Sequence, residues 1–138
     1  MKEKTHQTVL VLDFGGQYKE LIARAVRSLR VHSVILPGST SAEEIKKLAP
    51  IGIILTGGPF SVYEEGSPKA DPALFGLGIP VLGICYGMQM MCHVLGGEVA
   101  SCEVSEYGTT EVTADGGVLF GGVKMPMQAL MSHTDYVC

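Results

Sequence analysis

Four times in its first 84 residues the chain runs through a short block of apolar, mostly branched residues and then stops at a turn. The blocks are Val9 to Leu12, Val31 to Leu36, Ile51 to Leu55 and Pro80 to Ile84. Apolar runs this short, bounded by glycine and proline, read as strands buried on both faces. Helical patterns lie between them. From Gln17 to Leu29, residues Tyr18, Leu21, Ile22, Ala25, Val26 and Leu29 recur at helical spacing. Ser41, with Glu44 three residues on, forms a capping-box signature for a short helix. A short helix is expected at Pro72 to Phe75. Another runs from Tyr86 to Leu95 and ends at Gly96-Gly97.

Strands alternating with helices imply an α/β fold, a doubly wound, mostly parallel sheet with helices on both faces. Beyond residue 98 the alternation stops. Glu98 to Val104, Thr109 to Thr113 and Pro126 to Met131 read as strands with no helix between them. This β-rich part is expected to extend the same domain. No repeat, low-complexity tract or interdomain linker divides the 138 residues.

Composition excludes several classes. Hydrophobic residues make up 46% and charged residues 17%, which argues for a packed core and against disorder. The net charge of −4 and the lack of a basic run argue against a nucleic-acid partner. No apolar stretch approaches the roughly 18 residues of a membrane span, so no membrane partner is expected. The polar segment Met1 to Thr8 lacks a signal peptide's apolar core, which places the chain in the cytoplasm. The cysteines are Cys85, Cys92, Cys102 and Cys138, without a C-x-x-C pair, so neither zinc nor a disulfide is expected. By default each reads as a small buried apolar residue.

Cys85 asks for more. Pro80-Val-Leu-Gly-Ile-Cys85-Tyr-Gly-Met-Gln-Met reads strand, sharp turn, helix, with the turn in the form G-x-C-x-G. This is the nucleophile-elbow pattern, with sulfur for the serine oxygen. A nucleophile in strained backbone geometry needs small neighbours, which Gly83 and Gly87 supply. At the start of a helix, unpaired N–H groups and the dipole favour negative charge. The Tyr86 N–H is placed to stabilise an oxyanion. Thr56-Gly57-Gly58-Pro59 also follows a buried strand. Loops at the carboxyl ends of parallel strands converge on one crevice, so the Gly58 N–H is a second candidate donor.

These stretches resemble the class I glutamine amidotransferase family, and within it the branch that serves GMP synthesis. The resemblance rests on Val11-Leu-Asp-Phe-Gly-Gly-Gln-Tyr18 with Leu21-Ile-Ala-Arg24, on Gly83-Ile-Cys-Tyr-Gly-Met-Gln89, and on Met131-Ser-His-Thr-Asp135. It runs from about residue 8 to the last residue. Tyr86 discriminates most, because related amidotransferases usually carry Leu after the cysteine.

The resemblance implies a mechanism. Cys85 attacks the side-chain amide of glutamine, a thioester forms, ammonia leaves, and water releases glutamate. Gly58 and Tyr86 hold the oxyanion. Gln89, Ser132 and His133 contact the substrate. No metal or cofactor belongs to this domain. The ammonia passes to a synthetase (ATP-pyrophosphatase) domain or subunit, which uses ATP and magnesium to convert XMP to GMP.

The chain departs from the family pattern in places. The family's triad is completed by a His-Pro-Glu motif, which these 138 residues do not contain. The chain is therefore read as part of a longer protein and expected to be inactive alone. His93 lies about two helical turns, roughly 12 Å, from Cys85, too far to act as its base. His6 and His32 carry no motif. His133 belongs to the substrate segment. Ser105 stands where the family often has Arg, and Thr134 where it often has Gly.

Other signals have plainer readings. Gly117-Val-Leu-Phe-Gly-Gly122 is half of a phosphate loop without its Lys-Ser/Thr, and reads as a turn. Phe14-Gly15-Gly16 lacks the third glycine of a dinucleotide fingerprint and reads as a tight strand–helix turn. Met88, Met90 and Met91 read as core packing, and Glu43, Glu44, Lys46 and Lys47 as a solvated helix face. Two other functions remain open: a non-catalytic domain that binds glutamine or a partner subunit, and another cysteine hydrolase built on the same elbow.

Overall fold

The computed structural model describes residues 6–138, and for Cys102 to Glu106 it describes the strand path only. The expectations for Cys102 and Ser105 therefore lie outside the described side chains. The chain divides into two compact units, Met1–Val99 with Val137–Cys138, and Ala100–Tyr136.

The first unit carries a four-stranded parallel sheet. Its strands are β1 (Thr8–Asp13), β2 (His32–Pro37), β3 (Gly52–Leu55) and β4 (Val81–Gly83), in the order β2-β1-β3-β4. Leu10 pairs with Val34 on one side and Ile53 on the other, and Leu55 pairs with Gly83. β1 is thus an inner strand, and Leu10, Val11 and Leu12 are all fully buried. Leu10 and Leu12 join a cluster with Ile45, Leu74 and Met90, which come from the helices on one face. Side chains alternate along a strand, so Val11 faces the other way. Each such side chain adds about 1.5–3 kcal/mol of burial.

The helices are α1 (Lys19–Ser28), α2 (Ala42–Leu48) and α3 (Tyr86–Val94), with a 3-10 helix at Pro72–Gly76. The chain moves from β1 to β2 on one side, then back past β1 to β3. With right-handed crossovers this puts α1 on one face and α2 on the other. Ser41 caps α2 as expected, its hydroxyl accepting from the Glu44 N–H at 3.2 Å. Asp71 ties two helix starts together. Its carboxylate accepts from the Ala42 N–H at 2.9 Å and the Ala73 N–H at 3.0 Å. These two bonds hold its pKa below the usual carboxylate value.

α1 docks differently from its apolar pattern. The buried residue is Ala23, and Tyr18, Leu21 and Leu29 are 67%, 56% and 77% exposed. Ser33 of β2 donates its hydroxyl to the Ala23 carbonyl at 2.8 Å and accepts from Arg27 Nε at 2.9 Å. That tie fastens the helix to β2 at Ala23, and Ile22 and Val26 on the same side are half-buried.

The second unit is built on a two-stranded sheet of β5 (Val99–Val112) and β6 (Met127–Val137). The strands expected at Glu98 to Val104 and Thr109 to Thr113 are one continuous strand. The turn expected at Gly117 to Gly122 contains a single helical turn, α4 (Gly117–Phe120). Among the described residues, no helix is long and apolar enough to cross a membrane.

Candidate active site

The site is built from loops at the carboxyl ends of β1, β3 and β4, where the strand order reverses about β1. In doubly wound sheets such a switch point opens a crevice. β4 pairs with β3 up to Gly83, and the Ile84 N–H donates to the Leu55 carbonyl at 2.9 Å. The next residue, Cys85, takes φ 51° and ψ −118°, and α3 begins at Tyr86. Positive φ on a non-glycine residue is uncommon, and here it throws the side chain outward. Cys85 is exposed.

The elbow glycines have steric work. A Cβ on Gly87 would lie 2.3 Å from the Leu55 carbonyl oxygen, and one on Gly83 would lie 2.6 Å from Met88 Cα. Only a bare backbone lets α3 begin so close to β3 and β4. The helix then continues regularly: the Gln89 N–H donates to the Cys85 carbonyl at 3.0 Å, and Gln89 is buried. Tyr86 is the first residue of α3, so its N–H has no acceptor within the helix.

The Gly57-Gly58 loop lies alongside. A Cβ on Gly57 would come within 3.4 Å of Cys85 Cβ. Gly58 is held from behind, since a Cβ there would lie 2.3 Å from the Phe14 carbonyl oxygen. The Gly16 N–H donates to the Gly57 carbonyl at 3.1 Å. Buried Thr56 ties the ends of β1 and β3, its hydroxyl donating to the Leu12 carbonyl at 2.7 Å and accepting from the Phe14 N–H at 3.3 Å. Phe14-Gly15-Gly16 is thus the tight turn expected, and it buttresses the loop beside Cys85.

Asp13 braces the same turn. Its carboxylate accepts from Lys19 Nζ at 2.6 Å and from the Gly15 N–H at 2.8 Å. The Lys19 bond first, then the Gly15 N–H, hold its pKa below the usual carboxylate value. Tyr86 is buried. Its hydroxyl donates to the Pro68 carbonyl, and burial pushes its phenol pKa up.

The structure therefore gathers Cys85, Gly58, Tyr86 and Gln89 in the first unit. Ser132 and His133 lie on β6 in the second unit, Ser132 exposed and His133 half-buried. His93 is half-buried and packs edge-on against Tyr63 at 5.3 Å, a packing contact. The expected burial of the cysteines does not hold: Cys138 is exposed and Cys92 half-buried. Met90 is core as expected, but Met88 is 39% exposed. Sequence reasoning missed Thr56, Phe60 and Pro68. Phe60, two residues beyond Gly58, was the nearest available signal.

The model of the class-I glutamine amidotransferase family matches residues 10–138. The chain belongs to that family. Among curated relatives, the glutamine-hydrolysing GMP synthase of Clostridium botulinum is 58% identical over 132 residues, covering 95% of this chain. That of Mycobacterium leprae is 54% identical over 135 residues, covering 98%. The chain spans 26% of the length of each. Among solved structures, a GMP synthase subunit from Thermoplasma acidophilum superposes with TM-score 0.83 at 27% identity. The match covers 98% of this chain and 68% of that one. An amidotransferase fold of the class-I type accounts for the parallel sheet and the elbow alike.

Proposed function

We propose that this amidotransferase domain hydrolyses glutamine at Cys85 and supplies the ammonia for amination of XMP to GMP. The observation that carries the reading is the backbone of Cys85, φ 51° at the first turn of α3, with Gly57 packed against it. The thiolate sulfur attacks the glutamine amide carbon. The carbonyl oxygen becomes an oxyanion between the N–H groups of Gly58 and Tyr86. Collapse to the thioester breaks the C–N bond, and the nitrogen leaves as ammonia with the proton that the Cys85 thiol gave up, a transfer that the family pattern assigns to the His of its His-Pro-Glu motif. Water then cleaves the thioester, giving glutamate and free Cys85. Gln89, Ser132 and His133 are assigned to substrate binding.

The GMP synthase names of the relatives support the choice of acceptor. In this reading the ammonia passes to a synthetase domain or subunit that uses ATP and magnesium, in the cytoplasm. The domain itself needs no metal or cofactor for the thioester chemistry.

The test is covalent labelling. A glutamine-analogue electrophile should modify Cys85 selectively, seen by peptide mass spectrometry, and excess glutamine should protect it. Equal reaction of Cys85 with generic peptide electrophiles, without glutamine protection, would favour a different cysteine hydrolase. No labelling in the full-length protein would favour a non-catalytic domain.

A further inference from the structure

The side chain of Tyr86 has no part in the steps above, yet it is 1% exposed and makes contacts in two separate segments. Its ring lies 5.9 Å from that of Phe14, in the turn after β1, and 6.0 Å from that of Phe60, just beyond Gly57-Gly58. Its hydroxyl donates to the Pro68 carbonyl, further along the same loop. Between β3 and the 3-10 helix the chain has no helix or strand of its own. The position of that stretch relative to Cys85 must therefore come from tertiary contacts. On one side it is held by the Gly16 N–H on the Gly57 carbonyl. On the other it is held by Tyr86, which is covalently next to the nucleophile.

We infer that the Tyr86 side chain is a positioning residue: its ring against Phe60 and its hydroxyl on the Pro68 carbonyl lock the loop from Gly57 to Pro68 to the elbow, so that the N–H groups of Gly58 and Tyr86 face one oxyanion. The inference rests on the reading of Cys85 as the glutamine nucleophile. Two oxyanion donors from different segments act together only if their separation is fixed before the charge develops. One buried phenol bonded to the loop and joined to the nucleophile fixes it directly.

The test is kinetic, in the full-length protein. Tyr86→Phe keeps the backbone N–H and the ring but removes the bond to Pro68. The kcat for ammonia release from glutamine should fall roughly tenfold, since small misplacements cost large factors in rate. KM should stay within about twofold, because the oxyanion contact exists only in the transition state. Phe60→Leu should show the same split. The double variant should fall less than the product of the two, because both act through one segment. Rates are normalised to the amount of Cys85 labelled by the glutamine-analogue electrophile. A purely structural role would lower Tm and the labelled fraction but leave kcat per labelled site unchanged, and that result overturns the inference. If Tyr86→Phe fails to fold, an unchanged kcat per labelled site in Phe60→Leu overturns it instead. Loss of labelling and glutamine hydrolysis in the unsubstituted protein would overturn the reading of the site itself, a separate failure.

Discussion

Cys85 sits where a non-glycine residue costs on the order of 1–3 kcal/mol of backbone strain. The strain persists because α3 and β3 meet too closely at Gly87 for the chain to relax. Gly87→Ala would put its Cβ 2.3 Å from the Leu55 carbonyl oxygen, against backbone that cannot swing aside. We expect about 1–3 kcal/mol of destabilisation, typical of overpacking, and a smaller fraction of Cys85 open to labelling. Cys85→Ala should act differently. In the full-length protein it should abolish glutamine-dependent synthesis and leave synthesis from added ammonia intact. If both activities fall together, Cys85 is not the nucleophile. At this scale Cys85, Gly83 and Gly87 were legible in the sequence, because a turn pattern is local. Thr56 and Pro68 were not. Their roles are hydrogen bonds across 42 to 44 and 18 positions, which no spacing announces.

Among the elements, α2 was the easiest to read, since its start is written in Ser41 and Glu44. Ser41→Ala removes the cap and should cost about 1 kcal/mol by urea denaturation. α1 was the hardest. Its apolar residues lie at helical spacing, but Ala23, bonded through its carbonyl to Ser33, is the buried one, and Leu21 and Leu29 are exposed. The turn before α1 carries a pH signature. Lys19 and the Gly15 N–H depress the pKa of Asp13 in the folded state. Its contribution to stability is therefore full above the unfolded value of about 3.9, and is lost as pH falls through the depressed folded value. Asp13→Asn should lower Tm at pH 7, and the gap from the unsubstituted protein should close as the pH drops below about 4. A gap independent of pH would show that packing, not charge, is what Asp13 supplies there.

For the whole molecule, the consequential feature is the order β2-β1-β3-β4. It puts the turn after β1 beside the loop after β3, and that loop beside the elbow after β4. The four strand blocks were visible as apolar runs, and the α/β class followed from their alternation with helices. Their order was not visible, because parallel pairing joins residues some twenty or more positions apart and leaves no local mark. The C-terminal part was read correctly as β-rich. The first two of its three expected strands are a single β5, since a glycine at position 108 does not stop a strand that has a partner.

The sequence by itself determined the alternation of elements, the elbow around Cys85 and the family resemblance. All three rest on contiguous residues, and short-range sterics and burial patterns act within a few positions. The tertiary structure decided which loops stand beside the nucleophile, which face of α1 meets the sheet, and that the Tyr86 side chain bridges Phe14, Phe60 and Pro68. Those arrangements arise only when distant segments share one buried space.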